Sequence, residues 1–424
     1  MVIKLKCILV GVSTKYDRYD IDYSLNELKA LAEVLNYEVT DKVYQILDKP
    51  NTRTYIGSGK LSEIKIMIYA NDIDIVIFND ELTPSQLRNI SDELQVEVID
   101  RSFLILEIFE LRASNLSAKL EIKLAKDLYL LPRIQYMHQN QSRIGGGAST
   151  KTRGSGETQR ELDRRHLMSE INHLKSEIIT QRQMKINQIE RRKKNDIPIV
   201  ALVGYTNSGK STTMNKILEK CGVSEEKSVL AKDQLFATLE TYNRKLEYNK
   251  STFMLVDTIG FVSKLPHNLV NSFYQTLQEI KNADLIIHVL DSSSKYINEQ
   301  LSVVTEVLYS LDASDINTVF LLNKWDKTID ADMNVIGKKS IRYSNKADIG
   351  VDELLDTIYL EVSKTRTHVR LILPYGKGEL INTIEENSEI IKREYQEDGI
   401  YYEIEIPSKM YHLIKEYDLD MMVS

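Results

Sequence analysis

Cysteine is almost absent: Cys7 and Cys221 are the only two in 424 residues. Two thiols exclude a disulfide framework and a four-thiolate metal site. Their neighbours mark both as small buried hydrophobes, which fits a reducing compartment. Long apolar runs are missing too. None approaches the roughly 20 residues that span a bilayer, and the first residues lack a signal-peptide pattern. The expectation is a cytoplasmic protein without a membrane span, peripheral association staying open. An excess of positive charge is also lacking. The net charge of −7 argues against a general nucleic-acid binder. The charge is unevenly spread, however. Residues 141–196 hold thirteen Lys/Arg against seven Asp/Glu, and residues 371–424 hold five against twelve. A basic middle and an acidic end imply that the middle faces a polyanion.

What is present centres on Gly204-Tyr205-Thr206-Asn207-Ser208-Gly209-Lys210-Ser211. The apolar run 199–203 leads into it, and a helix-compatible run from Thr212 to Lys220 follows. This is the strand, glycine loop and helix of a phosphate-binding P-loop. Gly204 and Gly209 let the backbone curl so that its N–H groups point at phosphate oxygens. The helix opening at Thr212 adds free donors and a positive dipole end. Lys210 is expected to reach the outer phosphates, and Ser211 to offer a hydroxyl to Mg2+.

Three later stretches narrow the nucleotide. Residues 253–256 form a short apolar strand ending in Asp257-Thr258-Ile259-Gly260. Asp257 suits Mg2+ through water, and the Gly260 amide suits a γ-phosphate. The strand 318–322 ends in Asn323-Lys324-Trp325-Asp326. Guanine offers N1–H and its exocyclic amine to the Asp326 carboxylate. Adenine has no such donor pair and would leave Asp326 unpaired. A last short strand, 341–344, brings Ser344 and Asn345 to the loop over the base. A threonine between the P-loop helix and the second strand is needed for Mg2+, and Thr238 is preferred to Thr241 because it follows Phe236-Ala237. Lys210, Thr238 and Gly260 are thus the expected catalytic set, with Ser211, Thr238 and Asp257 as metal ligands. Phe261 stands where many GTPases carry a water-orienting glutamine, which implies slow hydrolysis that a partner accelerates. Phe261→Ala is then expected to leave nucleotide binding nearly intact. His288 lies within an apolar strand and reads as a core residue.

The chain outside this region alternates strand and helix patterns. Residues 1–105 read as an α/β domain with a largely parallel sheet. Ser24 and Glu27 read there as a helix-opening capping box. Tyr55-Ile56-Gly57-Ser58-Gly59-Lys60 is either a second phosphate loop or a structural turn. Residues 106–195 read as two long helices, 105–137 and 157–194, forming an antiparallel pair about a basic glycine-rich linker. That linker is either a hinge or a phosphate-backbone contact. A GTPase domain follows at 196–363. An acidic α/β appendage at 364–424 has a helix expected over 378–393.

These residues resemble the HflX family of ribosome-associated GTPases. The resemblance rests on the 55–60 loop, Asp100-Arg101-Ser102, Leu131-Pro132-Arg133, Arg153-Gly154-Ser155-Gly156-Glu157-Thr158, Arg164-Arg165, the P-loop, Phe236-Ala237-Thr238-Leu239 and Asp257-Thr258-Ile259-Gly260-Phe261. It implies binding of GTP and GDP with Mg2+, binding to the large ribosomal subunit through rRNA and ribosomal proteins, and splitting or rescue of stalled ribosomes under stress. Related GTPases place an asparagine at Asn207 to hold K+; a plain loop hydrogen bond is the alternative. Ala148 to Thr152 lengthen the family's glycine linker, and Ser344-Asn345-Lys346 replaces its Ser-Ala pair. A monomer is expected. Two other readings compete: a GTP-regulated binding module for another protein or RNA, and an ATP-dependent RNA-remodelling enzyme using the N-terminal domain.

Overall fold

The computed structural model describes residues 4–17, 19–134, 155–194, 197–223, 242–249, 251–264, 279–328, 339–364 and 366–421. The architecture is mixed α/β with three sheets. The first contains β1 (Lys6–Ser13), β2 (Glu38–Ile46), β3 (Ile75–Phe78) and β4 (Glu97–Asp100), in the order β2-β1-β3-β4 and parallel throughout. Parallel neighbours need crossovers, here the helices α1 (Ile21–Val34), α2 (Ser58–Asn71) and α3 (Pro84–Leu94). Both faces of β1 are covered: Cys7 and Leu9 join one apolar cluster, Ile8 and Val10 another. Thr83 caps α3 with a reciprocal capping box to Gln86.

The expected capping box at Ser24 and Glu27 is not formed. α1 starts earlier, capped by Asp20, whose carboxylate accepts from the Asp22 N–H. Ser24 and Glu27 lie inside the helix and are buried. Gly57 is the N-cap of α2. Its amide donates to Gln45 Oε1 at 2.8 Å, and Lys60 pairs with Glu63 one turn on at 2.7 Å.

The long helix expected over 105–137 is two helices, α4 (Arg101–Arg112) and α5 (Leu116–Leu130). The chain turns extended at Ala113, and the Asn115 side chain accepts from the Ala118 N–H at 2.8 Å to open α5. Asn satisfies a free helix N–H better as a cap than from mid-helix. α5 packs along the 40-residue α6 (Ser155–Lys194), where Ile171, Leu174 and Ile178 are buried and Glu170 pairs with Lys123 at 2.5 Å. The basic linker between them lies outside the described residues as far as Gly154.

The second sheet holds β5 (Ile199–Gly204), β6 (Tyr242–Tyr248), β7 (Ser251–Asp257), β8 (Leu285–Asp291), β9 (Thr318–Asn323) and β10 (Ser340–Arg342). Its order is β10-β9-β8-β5-β7-β6, all parallel except β6 on β7. Helices α7 (Lys210–Lys220), α8 (Ile297–Ser310) and α9 (Val351–Ser363) cover it. β5 shows the two-residue alternation of a strand buried on both faces. Val200 and Leu202 join the cluster under α7 and α9, while Ala201 and Val203 join the cluster that includes Val304 of α8. That second cluster does not stop at the sheet. It runs on through Tyr205, Ile259 and Phe261 to Leu25, Leu28 and Leu104 of α1 and α4. The N-terminal sheet and the P-loop sheet therefore share one apolar core.

The third sheet is antiparallel, β11 (Arg366–Leu373), β12 (Glu389–Gln396) and β13 (Gly399–Pro407) in the order β11-β13-β12, with α10 (Gly378–Asn387) against it. The helix expected to reach residue 393 ends at Asn387. Glu389 to Gln396 pair with β13 instead, because the turn before Gly399 returns the chain and β-branched Ile390 and Ile391 suit a strand. No helix among the described residues is long and apolar enough to cross a membrane.

Gly350, the N-cap of α9, adopts φ 72°, and a Cβ there would lie 2.1 Å from the Arg342 carbonyl oxygen. Gly350→Ala should destabilise the fold by about 1–3 kcal/mol, the usual cost of a strained backbone site. The check is a lower denaturant midpoint, with weakened guanine-nucleotide binding because β10 carries the base loop.

Candidate functional site

The site lies at the carboxyl ends of β5, β7, β8 and β9, where strand order reverses on either side of β5. Open parallel sheets bind ligands in that crevice. The loop after β5 turns through Asn207 (φ 60°) and Gly209 (φ 98°) into α7. Glycine is required at 209, since a Cβ would sit 2.1 Å from Asn323 Nδ2. Asn323, at the end of β9, donates from that nitrogen to the Ser208 carbonyl at 2.7 Å. Lys324 Nζ donates to the Asn207 carbonyl at 3.0 Å and pairs with Asp291 of β8 at 2.7 Å. Two residues of the guanine motif thus fasten the phosphate loop from behind.

Lys210 is buried, its Nζ donating to the Gly204 carbonyl at 3.1 Å and the Tyr205 carbonyl at 2.8 Å. Burial pushes its pKa down to about 8, with the Asp257 charge pulling partly back. Ser211 Oγ donates to Asp257 Oδ2 at 2.8 Å. These are two hard oxygen donors at the mouth of the loop. They fit Mg2+, a cation that keeps several waters, takes phosphate oxygens and needs few protein ligands. Among the described residues no cluster of three His, Cys, Asp or Glu side chains could hold a metal by itself. Thr238, the expected third ligand, lies outside the described residues. Thr212 is exposed on the first turn of α7, and the Asn207 side chain is exposed at the loop's tip. Thr206 and Ser208 are buried, and neither side-chain oxygen has a partner among the described residues.

The segment after β7 closes over the loop. Thr258 Oγ1 donates to the Leu202 carbonyl at 2.6 Å, and Ile259 is buried. The Thr206 amide donates to the Phe261 carbonyl at 2.7 Å, and the Phe261 amide to the Gly204 carbonyl at 3.1 Å. Gly260 is held so close that a Cβ there would lie 3.0 Å from Lys210 Nζ. Phe261 is only 2% exposed and belongs to the core shared with α1 and α4. That changes the reading of this residue. Its ring points into packing, so its removal carries a folding cost that the sequence did not disclose.

On the base side, Ser344 Oγ donates to Asp326 Oδ1 at 2.5 Å and accepts from the Ala347 amide at 3.1 Å. The hydroxyl contact holds the Asp326 carboxyl below its ordinary range. Asn345 is turned away from that carboxylate: its side chain accepts from Tyr343 and donates to Thr213 Oγ1 at 3.2 Å. Asn345 therefore braces the base loop against α7. His288 is 1% exposed with its ring 5.5 Å from Phe320, the core placement expected for it.

Sequence reasoning missed one cluster altogether. Tyr205, inside the P-loop, reaches out of the nucleotide sheet and donates from its hydroxyl to Glu27 Oε1 of α1 at 2.5 Å. Ser263 Oγ donates to Glu27 Oε2 at 2.6 Å, and the Ser263 amide donates to the Tyr205 hydroxyl at 2.7 Å. Arg101, at the start of α4, forms an ion pair with Glu27. Burial and the Glu27 charge push the Tyr205 phenol well above its usual value, which keeps it a donor. The available signal was weak: Glu27 stands among the leucines of α1 at Leu25, Leu28 and Leu31, and Arg101 opens the apolar α4.

The strand, glycine loop and helix at β5 and α7, with Asn323, Lys324 and Asp326 at the end of β9 and Ser344 against Asp326, are the layout of a P-loop GTPase. Three family models match successive stretches: "GTP-binding GTPase N-terminal" over residues 22–110, "GTP-binding GTPase Middle Region" over 112–192 and "50S ribosome-binding GTPase" over 199–324. The chain belongs to the HflX family of GTPases. GTPase HflX of Caldanaerobacter subterraneus is 37% identical over 98% of this chain and 94% of its own length. The Escherichia coli GTPase HflX is 32% identical over 93% of this chain and 91% of its own. A solved GTP-binding protein from Sulfolobus solfataricus, in complex with GDP, is 27% identical with a TM-score of 0.44, covering 85% of this chain and 99% of that one.

Two outcomes are expected from this geometry. In the nucleotide-free protein Lys210 loses its proton near pH 8, whereas a bound triphosphate favours the ammonium form. Nucleotide affinity should therefore fall as pH rises from 8 to 9, with proton uptake on binding. Calorimetry in two buffers of different ionisation enthalpy reads that uptake. Phe261→Ala should cost roughly 3–5 kcal/mol of stability, as buried Phe truncations do, measured as a shifted denaturation midpoint in the nucleotide-free protein.

Proposed function

We propose that this chain is a GTP-hydrolysing switch that acts on the large ribosomal subunit, splitting or rescuing stalled ribosomes under stress. The observation that carries the reading is the match of residues 199–324, which hold the phosphate loop and the Asp257 and Asn323 motifs, to a ribosome-binding GTPase family. The basic stretch 141–196 supports it by charge, since rRNA backbone is the polyanion such a stretch would meet. Ribosomal proteins complete the contact surface. A cytoplasmic monomer fits this role.

The chain's own residues divide the work. The loop amides from Gly204 to Lys210 cradle the phosphates, and Lys210 bridges the outer two. Ser211, Asp257 and Thr238 would hold Mg2+, which supplies charge neutralisation across the β- and γ-phosphates. Gly260, already against Lys210, offers its amide to the γ-phosphate. Asp326 reads guanine, with Ser344 holding its carboxylate. Phe261 cannot orient the attacking water, so intrinsic hydrolysis is slow and the ribosome completes the site. Asn207, exposed at the loop's tip, would hold K+ beside the phosphates. GTP orders the Thr238 and Gly260 segments and favours the bound state, and hydrolysis releases them.

The test is GTP hydrolysis with and without purified large subunits in K+ buffer, with Lys210→Ala as control. Partner effects in other GTPases reach on the order of 10^5-fold. Strong stimulation that the mutant abolishes is expected. Intact intrinsic hydrolysis with no stimulation would sink the ribosomal partner while keeping the GTPase. A further comparison replaces K+ by Na+: a slower rate is expected, and equal rates would remove the K+ role.

A further inference from the structure

The buried cluster between α1, α4 and the P-loop has no part in the phosphate, metal or base contacts. Glu27 is 8% exposed, Arg101 1%, Tyr205 3% and Ser263 2%. An ionised pair is rarely kept this deep unless its geometry does something that apolar side chains would not. Each oxygen of Glu27 serves a different part of the nucleotide site: Oε1 takes the hydroxyl of Tyr205 in the P-loop, and Oε2 takes that of Ser263, three residues beyond Gly260. Arg101 holds the carboxylate from the other side and also donates to Ser263 Oγ at 3.1 Å and to Asn79 Oδ1 at 3.0 Å. Asn79 in turn donates to Ser24 Oγ on α1 at 2.8 Å. The carboxylate is thus fixed by β3, α1 and α4 before it meets the GTPase unit. Lys264, next in the chain, pairs with Asp80 of the same N-terminal unit.

We propose that Glu27 is a positioning residue for the GTP site, contributed by the N-terminal unit and acting through Tyr205 and Ser263. The segment from Asp257 to Ser263 is held at the end of β7, by the Phe261 backbone pairing with Gly204 and Thr206, and, furthest along the chain, at the Glu27 carboxylate. Between them Gly260 is held against Lys210, where its amide would meet a γ-phosphate. Through Ser263 the N-terminal unit therefore pre-organises the γ-phosphate contact, which GDP does not use, while through Tyr205 it holds the loop that both nucleotides share. Nucleotide state and N-terminal docking are then linked, each biasing the other by the same factor. This deepens the GTPase reading and rests on it.

The test measures equilibrium binding of GDP and of a non-hydrolysable GTP analogue to the full chain. The variants are Glu27→Gln, Tyr205→Phe and Ser263→Ala. Glu27→Gln strands the Arg101 charge and can fail to fold. The other two each remove one hydroxyl, keep the buried pair and carry the test alone. Each is expected to weaken the analogue by about tenfold, the scale of one lost hydrogen bond to a charged group; in Ser263→Ala, which lies outside the phosphate loop, GDP affinity stays within about twofold. The Tyr205→Phe/Ser263→Ala double variant should lose less than the product of the singles, since both act through one carboxylate. Equal losses for GDP and analogue in Ser263→Ala, multiplicative singles, or unchanged analogue affinity would each overturn the proposal. A wild-type chain that binds neither nucleotide would instead sink the GTP-site reading, a separate result.

Discussion

The nucleotide site depends on one backbone constraint: the loop after β5 must curl with its amides inward, and it cannot do so unaided. Asn207 and Gly209 take left-handed conformations, and the space a side chain would need at 209 is filled by Asn323. Asn323 and Lys324 then tie the loop's carbonyls to the ends of β9 and β8. Recognition of phosphate and recognition of guanine are therefore mechanically joined. The stretch that ends in Asp326 thus braces the phosphate loop through Asn323 and Lys324.

The same loop is braced from the opposite side by the N-terminal unit. Ala201, Val203, Tyr205 and Phe261 belong to one apolar cluster that runs from α8 to α1 and α4. A shared core means that the position of the segment after β7 is a property of the two units together. The polar centre of that core adds direction to what apolar packing alone leaves loose, because a carboxylate with two committed oxygens accepts few alternative arrangements.

Much of this was legible in the residues. The strands that lead into the P-loop, Asp257 and Asn323 were read correctly, because each is a short apolar run ending in a local pattern. The alternation of strand and helix in the first hundred residues implied the parallel sheet. Local patterns also misled. Ser24 and Glu27 satisfy the spacing of a capping box, yet Asp20 caps the helix and both side chains turn inward. The break between α4 and α5 was missed because leucine periodicity continues across Asn115, and the hairpin of β12 because Glu, Lys and Arg at 389–394 favour helix in isolation. Phe261 was read from the chemistry its side chain lacks, while its burial needed α1 in view.

By itself the sequence determined the class of the protein, a P-loop GTPase, since the stretches that mark it are residue types at fixed short spacings. Only the tertiary structure decided what those residues lean on. Glu27 and Ser263 are 236 positions apart in the chain, and no periodicity or motif relates them. Their meeting depends on how two sheets share one core, a non-local balance of packing and desolvation that is set when the whole chain closes.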